Sequence, residues 1–493
     1  MNYRRTSIIK IVIVYLILFS LLLNLTSKVN AGFQNNSIGT AGSLVKLNLK
    51  SHYERIQAIL YQSNGDLHAR VVGTRLAIKD IDPYFFQWRP DMPEEWRDPH
   101  VDPKATVTRL TVPPTTLLLH LPLVSLSHQT QVIIWLIVEW LCYLGIGLML
   151  YDLAGSKTTK PSVSHSPSSW SVAIGSLRNR IGLKSCNHTP CLIIIGLSIF
   201  AISFHWWNHL AVGQVYILYS LFITLGFWIH NKHHHTSYLS YLLWGMTAAF
   251  RFPYLLLILL VLMRKKIKPA IYFILGLTIP VIASLIIFNP NLWTSYAKSV
   301  LFISDNKFDY GIRPDAIFNK ITDLSSSQMT ASDINPFLVY DTSIKIFADN
   351  WLNLPISNQI LYVSFAIVLI GCLGYFYKIG LWHKNFNSQF LAMIVLVIIS
   401  EFFIPVPRHG YYDVQWLLPW GILTNLYQNS ILKQLFLLLG LIMISNVPYL
   451  NIQTGMLLNW LFVLFMVGCI FKYDRLVGKS NLDATNTISN KPS

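Results

Sequence analysis

Residues 132–153 read VIIWLIVEWLCYLGIGLMLYDL. The hydrocarbon core of a bilayer is about 30 Å thick and takes about 20 mostly apolar helical residues to cross, so this stretch is long enough to span it. Outward from it, further apolar runs follow quickly at 192–204, 212–229, 238–263, 271–288, 361–377, 390–404, 414–426, 432–444 and 456–471. An earlier run, 11–25, sits behind Arg4, Arg5 and Lys10. The chain of 493 residues is 53% apolar and 12% charged, where a soluble domain is about 25% charged. A soluble chain of this length divides into domains with polar surfaces, and there is too little charge here to cover them. The expected fold is therefore an all-α membrane protein, a polytopic bundle of about 12 transmembrane helices.

The formal net charge of +16 has a direct explanation in such a protein. Lys and Arg collect at cytoplasmic helix ends and hold topology, so nucleic acid is not an expected partner, whereas membrane lipids are. The five cysteines form no metal-binding or redox pattern; Cys186 and Cys191 have neither zinc-site nor Cys-x-x-Cys spacing.

Charge also sets the topology. The basic flank of the first run places the N-terminus inside, and the many later runs favour a retained helix over a cleaved signal, although Val29-Asn30-Ala31 loosely resembles a cleavage site. Arg264, Lys265, Lys266, Lys268, Lys378, Lys384 and the 472–479 region belong on the cytoplasmic side. The chain then divides into an N-terminal transmembrane helix at 1–31, a first external loop at 32–112, helices at 113–290, a second external loop at 291–357, helices at 358–473 and a cytoplasmic tail at 474–493. Two threadings satisfy the parity. Either 117–126 crosses the membrane, or it is a re-entrant or surface helix and 238–263 breaks at Pro253. The basic, Ser/Pro-rich loop 156–190 changes sides between the two.

Within the first external loop, Asp66 opens a stretch in which Leu67, Val71 and Ile78 recur at helical spacing. This predicts an amphipathic helix on the outer membrane surface, with Asp66 at its positive N-terminal end, where the helix dipole keeps a carboxylate ionised and suited to act as a base. Arg70 lies four residues on; a helix cap with a solvated ion pair fits the same spacing. Asp80-Ile81-Asp82-Pro83-Tyr84 follows, weak as a metal motif and rich in interfacial aromatics further on. Pro113-Pro114-Thr115 presets the first turn of a helix. His205 and His209 place polar groups in an apolar stretch, where they usually face the protein interior or a cavity; Gln214 follows them. His233, His234 and His235 read as an interfacial loop. Arg251 sits inside an apolar run, which makes it a functional candidate unless Pro253 ends the helix and lets it snorkel. Arg408 and His409 occupy a tight external turn and suit a phosphate group.

Taken in order, these pieces resemble a membrane glycosyltransferase of the GT-C fold, and in particular glycosyltransferase family 87, which includes mycobacterial mannosyltransferases. The resemblance rests on Asp66-Leu67, Gly73, Asp82-Pro83-Tyr84, Pro113-Pro114, Pro122-Leu123, Gly213-Gln214-Val215 and Arg251-Phe252-Pro253. Departures are Val112 where the family has Tyr, Tyr216 where it has Asn, and no glycine before Asp82. The resemblance implies a lipid-linked donor, a hexose such as mannose on a polyprenyl phosphate, and an external lipid or glycan acceptor. Asp66 resembles the family's catalytic base, in an inverting displacement. The phosphate leaving group then needs charge stabilisation, for which Arg251, Arg408 and His409 are candidates, and Arg70, Arg75, Asp82, Tyr84 and Gln214 join the substrate-binding set. The scheme calls for no metal or other cofactor. A bacterial inner membrane with the site on the external face is the implied location. A transporter or lipid flippase, a glycan ligase or polymerase, and a purely structural membrane protein are the competing readings.

Overall fold

The computed structural model describes residues 65–86, 91–96, 110–155, 189–232, 238–263, 266–305, 343–352, 354, 356–378, 380–381, 386–404, 408, 410–428, 430–445, 457, 459–465 and 467–468. The expected first span, Arg109, most of the 156–190 loop, the triple histidine at 233–235, most of the second external loop, His409 and the C-terminal tail lie outside the described residues.

Among the described residues every regular element is helical. The order is α1 (Gly65–Ile78), α2 (His128–Gly155), α3 (Thr189–Ala201), α4 (Phe204–Val212), α5 (Tyr216–Lys232), α6 (Leu239–Phe250), α7 (Ile258–Met263), α8 (Ile267–Ile287), α9 (Asn291–Asp305), α10 (Ile344–Trp351), α11 (Asn358–Lys378), α12 (Phe386–Phe402), α13 (Leu417–Leu426) and α14 (Ile431–Ile444). Three of them, α2, α8 and α11, are long and apolar enough to cross a membrane, and α3 with the following helix makes a fourth candidate bent by 56°. They carry their apolar surplus outward: Ile137, Leu141, Ile286, Ile367 and Ile370 are more than half exposed, as expected of surfaces that face lipid rather than water. The all-helical, apolar architecture is the expected one; of the expected twelve or so spans, the described residues show these three or four candidates.

The breaks matter more than the spans. The stretch 117–126 does not form a crossing helix. A helical turn, Pro114–Leu117, runs into a 3-10 turn, Leu118–Leu123, that contains Pro122, and proline cannot continue a helical hydrogen-bond ladder. The run 238–263 does break. Helix α6 ends at Arg251, which is extended at φ −151° and ψ 109°, and a 3-10 turn, Phe252–Leu257, leads into α7. Both features match the threading in which 117–126 does not cross and 238–263 breaks.

The first helix is more buried than its spacing alone implies. Residues Leu67, His68, Arg70, Val71 and Leu76 of α1 are all buried, while Ile78 is 46% exposed, so the helix is packed into the bundle. Its polar face is the reason: His68 meets His128 at 3.1 Å, Thr74 donates to the Arg70 carbonyl at 2.7 Å, and Arg70 reaches the Gly213 carbonyl. Hydrogen bonds of this kind offset the cost of burying polar groups.

Candidate active site

A cavity of about 250 Å³ opens where four broken or terminal pieces of helix converge. Its wall includes Asp66 and Arg70 from α1, Gln214 from the turn before α5 and Tyr216 at the start of α5, Arg251 at the break after α6, and Glu401 and Arg408 at the end of α12 and just beyond.

Each piece is held for a local reason. Ending α6 at Phe250 strands carbonyls that a continuing helix would have satisfied. The hydroxyls of Thr115 and Thr116 donate to the Ala249 and Phe250 carbonyls at 2.6 and 3.1 Å. The Pro113-Pro114-Thr115-Thr116 turn is therefore the cap of the broken helix, and it fixes the backbone that presents Arg251. Helix α4 begins on Ser203, whose hydroxyl accepts from the Trp206 amide at 3.1 Å, and ends on Gly213 at φ 69°. That left-handed conformation favours glycine. It turns the chain so that Gln214 faces α1. Gln214 then bridges two groups: its oxygen accepts from Arg70 Nη1 at 3.3 Å and its nitrogen donates to the Asp66 carboxylate. Asp66 sits in the first turn of α1, at the positive end of the helix dipole. A carboxylate so placed keeps lone pairs available to an incoming hydroxyl.

Arg251 is bound on two edges. Its Nε donates to Glu401 at 2.6 Å and its Nη1 to the Tyr216 hydroxyl at 2.7 Å. The Tyr216 and Tyr412 rings lie 4.4 and 4.8 Å from its guanidinium. Glu401 is held in turn by Gln415, whose nitrogen lies 3.1 and 3.3 Å from its two oxygens, and the Tyr254 hydroxyl donates to Gln415 at 3.1 Å. Arg408 is 1% exposed and donates to Asp413 at 2.8 Å. The other Asp413 oxygen takes Asn459 and lies 3.1 Å from His205. A second buried acid–histidine pair, Glu139 with His209 at 3.1 Å, stands behind the Gly213 turn. Tyr296 of α9 completes the wall, with its hydroxyl pushed up to about 12 by burial, so it offers a neutral donor.

Of the residues singled out in the sequence, Asp66, Arg70, Gln214, Arg251 and Arg408 line this one cavity. Three others stand apart from it. Arg75 straps loops together, donating to the carbonyls of Val124, Glu95 and Leu126 at 2.7, 2.9 and 3.1 Å. Asp82 accepts from the Tyr84 amide at 2.9 Å in a side-chain turn, next to Asp80 at φ 58°. Tyr84 donates to the Val112 carbonyl at 2.8 Å, and burial pushes its hydroxyl well above the usual range. These three side chains serve backbone groups of the first loop and of the 118–126 turn that follows it. Among the described residues no cluster of three or more His, Cys, Asp or Glu is placed to hold a metal ion.

Glu401, Gln415 and Asp413 were not picked out from the sequence, although Glu401 carries the same signal as Arg251: a charged residue within an apolar run, here 386–404.

Residues 111–400 of the chain match the sequence pattern of Glycosyltransferase family 87. No curated protein and no solved structure matches the chain.

Proposed function

The chain belongs to glycosyltransferase family 87, and from that premise we propose that it transfers a hexose, mannose being the first candidate, from a polyprenyl-phosphate donor to an external lipid or glycan acceptor. The observation that carries this reading is the single cavity lined by Asp66, Arg70, Arg251 and Arg408. It puts a carboxylate base and three guanidinium groups around one volume, which is what an attack on a phosphate-activated sugar requires.

In the proposed step Asp66 takes the proton of the acceptor hydroxyl. The hydroxyl oxygen bonds to the anomeric carbon on the face opposite the phosphate. The carbon–oxygen bond to phosphate breaks, its electron pair leaves with the phosphate oxygen, and the anomeric centre inverts. Gln214 positions the base, since its amide donates to Asp66 while Arg70 holds the other end of the same amide. Arg251 and Arg408 face the leaving phosphate, a geometry that suits the planar guanidinium fork. The step draws on these side chains alone and calls on no metal.

The charge of the cavity supports a monophosphate donor. The three arginines are largely offset by Asp66, Glu401 and Asp413, which suits a phosphodiester of one negative charge better than a diphosphate. We place the site on the external face of a bacterial inner membrane, because the basic helix ends belong to the opposite side.

The test is sugar transfer by the purified full chain from a polyprenyl-phosphate hexose, with Asp66→Asn beside the wild type. The expected result is a folded variant with transfer reduced at least about a thousandfold, in the range that loss of a base and its geometry produces. Wild-type transfer rates in Asp66→Asn would remove Asp66 from the mechanism.

A further inference from the structure

The buried carboxylate of Glu401 has no part in the step just proposed. It is 2% exposed, lies in the apolar helix α12, lines the cavity, and accepts from Arg251 Nε at 2.6 Å. Gln415 grips both of its oxygens, and Tyr254 grips Gln415. The carboxylate is therefore held on the arginine rather than free to swing away. A negative charge beside the leaving-group site opposes donor binding, so its presence there needs a reason within the reaction.

The reason lies in how the charge of the lipid changes. The donor is a phosphodiester with one negative charge. Once the bond to the sugar breaks, the lipid phosphate is a monoester, which carries about −1.5 to −2 at pH 7. At the same moment Asp66 has taken a proton and lost its charge, so the cavity wall becomes more positive just as the product becomes more negative. Without Glu401, three arginines offset at that moment by Asp413 alone would bind the product more tightly than the donor and slow turnover. Resting on the donor reading above, we infer that Glu401 sets the anion affinity of the leaving-group site and limits retention of the polyprenyl phosphate product. It is a positioning and charge-setting residue: it acts through Arg251 and takes no proton from substrate.

A merely structural role for Glu401 predicts weaker binding and lower activity when it is altered. The charge-setting role predicts the opposite sign for binding. Farnesyl phosphate, a short polyprenyl monoester, and its methyl ester, which keeps a single charge, are titrated calorimetrically into the full chain in detergent. Glu401→Gln retains the side-chain shape and an acceptor for Arg251. It is expected to bind farnesyl phosphate at least tenfold more tightly than wild type, to bind the methyl ester more tightly by a smaller factor, and to show a lower steady-state kcat after a product burst. If Glu401→Gln does not fold, Glu401→Asp withdraws the charge by one methylene and is expected to tighten farnesyl phosphate binding a fewfold. Wild type that binds farnesyl phosphate, with unchanged or weaker binding in the folded variant, overturns the inference and leaves the donor reading standing. Wild type that binds neither probe overturns the donor reading and this inference with it.

Discussion

Gln214 is one amide with two charged neighbours, and its orientation follows from them. Its oxygen faces Arg70 and its nitrogen faces Asp66, so a flipped amide would face a cation with a donor and a carboxylate with an acceptor. Hydrogen bonds to charged groups contribute about 1.5–3 kcal/mol, and each 1.4 kcal/mol corresponds to a tenfold change in rate. Gln214→Leu is expected to lower kcat/KM by about 10- to 100-fold and to lower the melting temperature in detergent as well, because it takes a hydrogen bond from the buried Arg70. Gln214→Glu makes a sharper demand. A second carboxylate beside Asp66 disfavours its ionised form and raises its pKa. Because the base works only when ionised, the acid limb of the kcat/KM profile is expected to move to higher pH. A pH–rate profile checks the direction; an acid limb unchanged in Gln214→Glu would mean that the Asp66 carboxylate does not set it. The residues legible in the sequence were those whose chemistry conflicts with their surroundings, such as Arg251 amid Ala, Phe and Leu. Arg75, Asp82 and Tyr84 do not line the cavity, and nothing in a sequence shows which backbone carbonyls and amides lack partners. Those three side chains answer that need.

At the scale of elements, the site depends on helices that stop short. Proline marks where α6 must end, and the sequence showed that much at Pro253. It did not show that the Pro113–Thr116 turn returns to cap the break, because that contact joins residues 134 positions apart. The burial of α1 was equally hidden, since the helical spacing of Leu67, Val71 and Ile78 describes a surface helix as well as a packed one. What steadies the broken helix is its contact with α8. A Cβ on Gly245 would lie 2.0 Å from the Phe273 carbonyl oxygen, and one on Gly276 would lie 2.0 Å from that of Leu242. Small residues allow transmembrane backbones to approach in this way. The obstacle on each side is backbone, which cannot swing aside as a side chain can, so the two helices must separate to admit a methyl group. Gly245→Ala is expected to cost about 1–3 kcal/mol, as overpacking does, and to lower the melting temperature in detergent. It is also expected to reduce activity by shifting the end of α6 that carries Arg251. Melting indistinguishable from wild type would mean that α6 and α8 are not packed this closely.

For the whole molecule, the open question is which face of the membrane the cavity occupies, and α8 connects the two sides of that question. It runs from Lys266 and Lys268 at its start to Asn289 and Pro290 after its end. At 1.5 Å per residue its 21 residues reach about 31 Å, the thickness of the hydrocarbon core. Helix α9 follows at once and contributes Tyr296 and Val300 to the cavity wall. The lysines and the cavity are therefore at opposite ends of one span. Lys and Arg mark the cytoplasmic side, so the proposed function expects the cavity to open outside, where the proposed lipid-linked sugar and external acceptor would meet without a nucleotide. Lys268 and Lys298 are both exposed, which makes them suitable reporters. In a background with the native cysteines replaced, Lys298→Cys is expected to react with a membrane-impermeant maleimide in sealed spheroplasts. Lys268→Cys is expected to react only after the membrane is opened. The reverse pattern would put the cavity on the cytoplasmic side and would make an external acceptor untenable. Labelling of both positions from the same side would show that α8 does not cross the membrane, and with that the charge argument for the topology would fail.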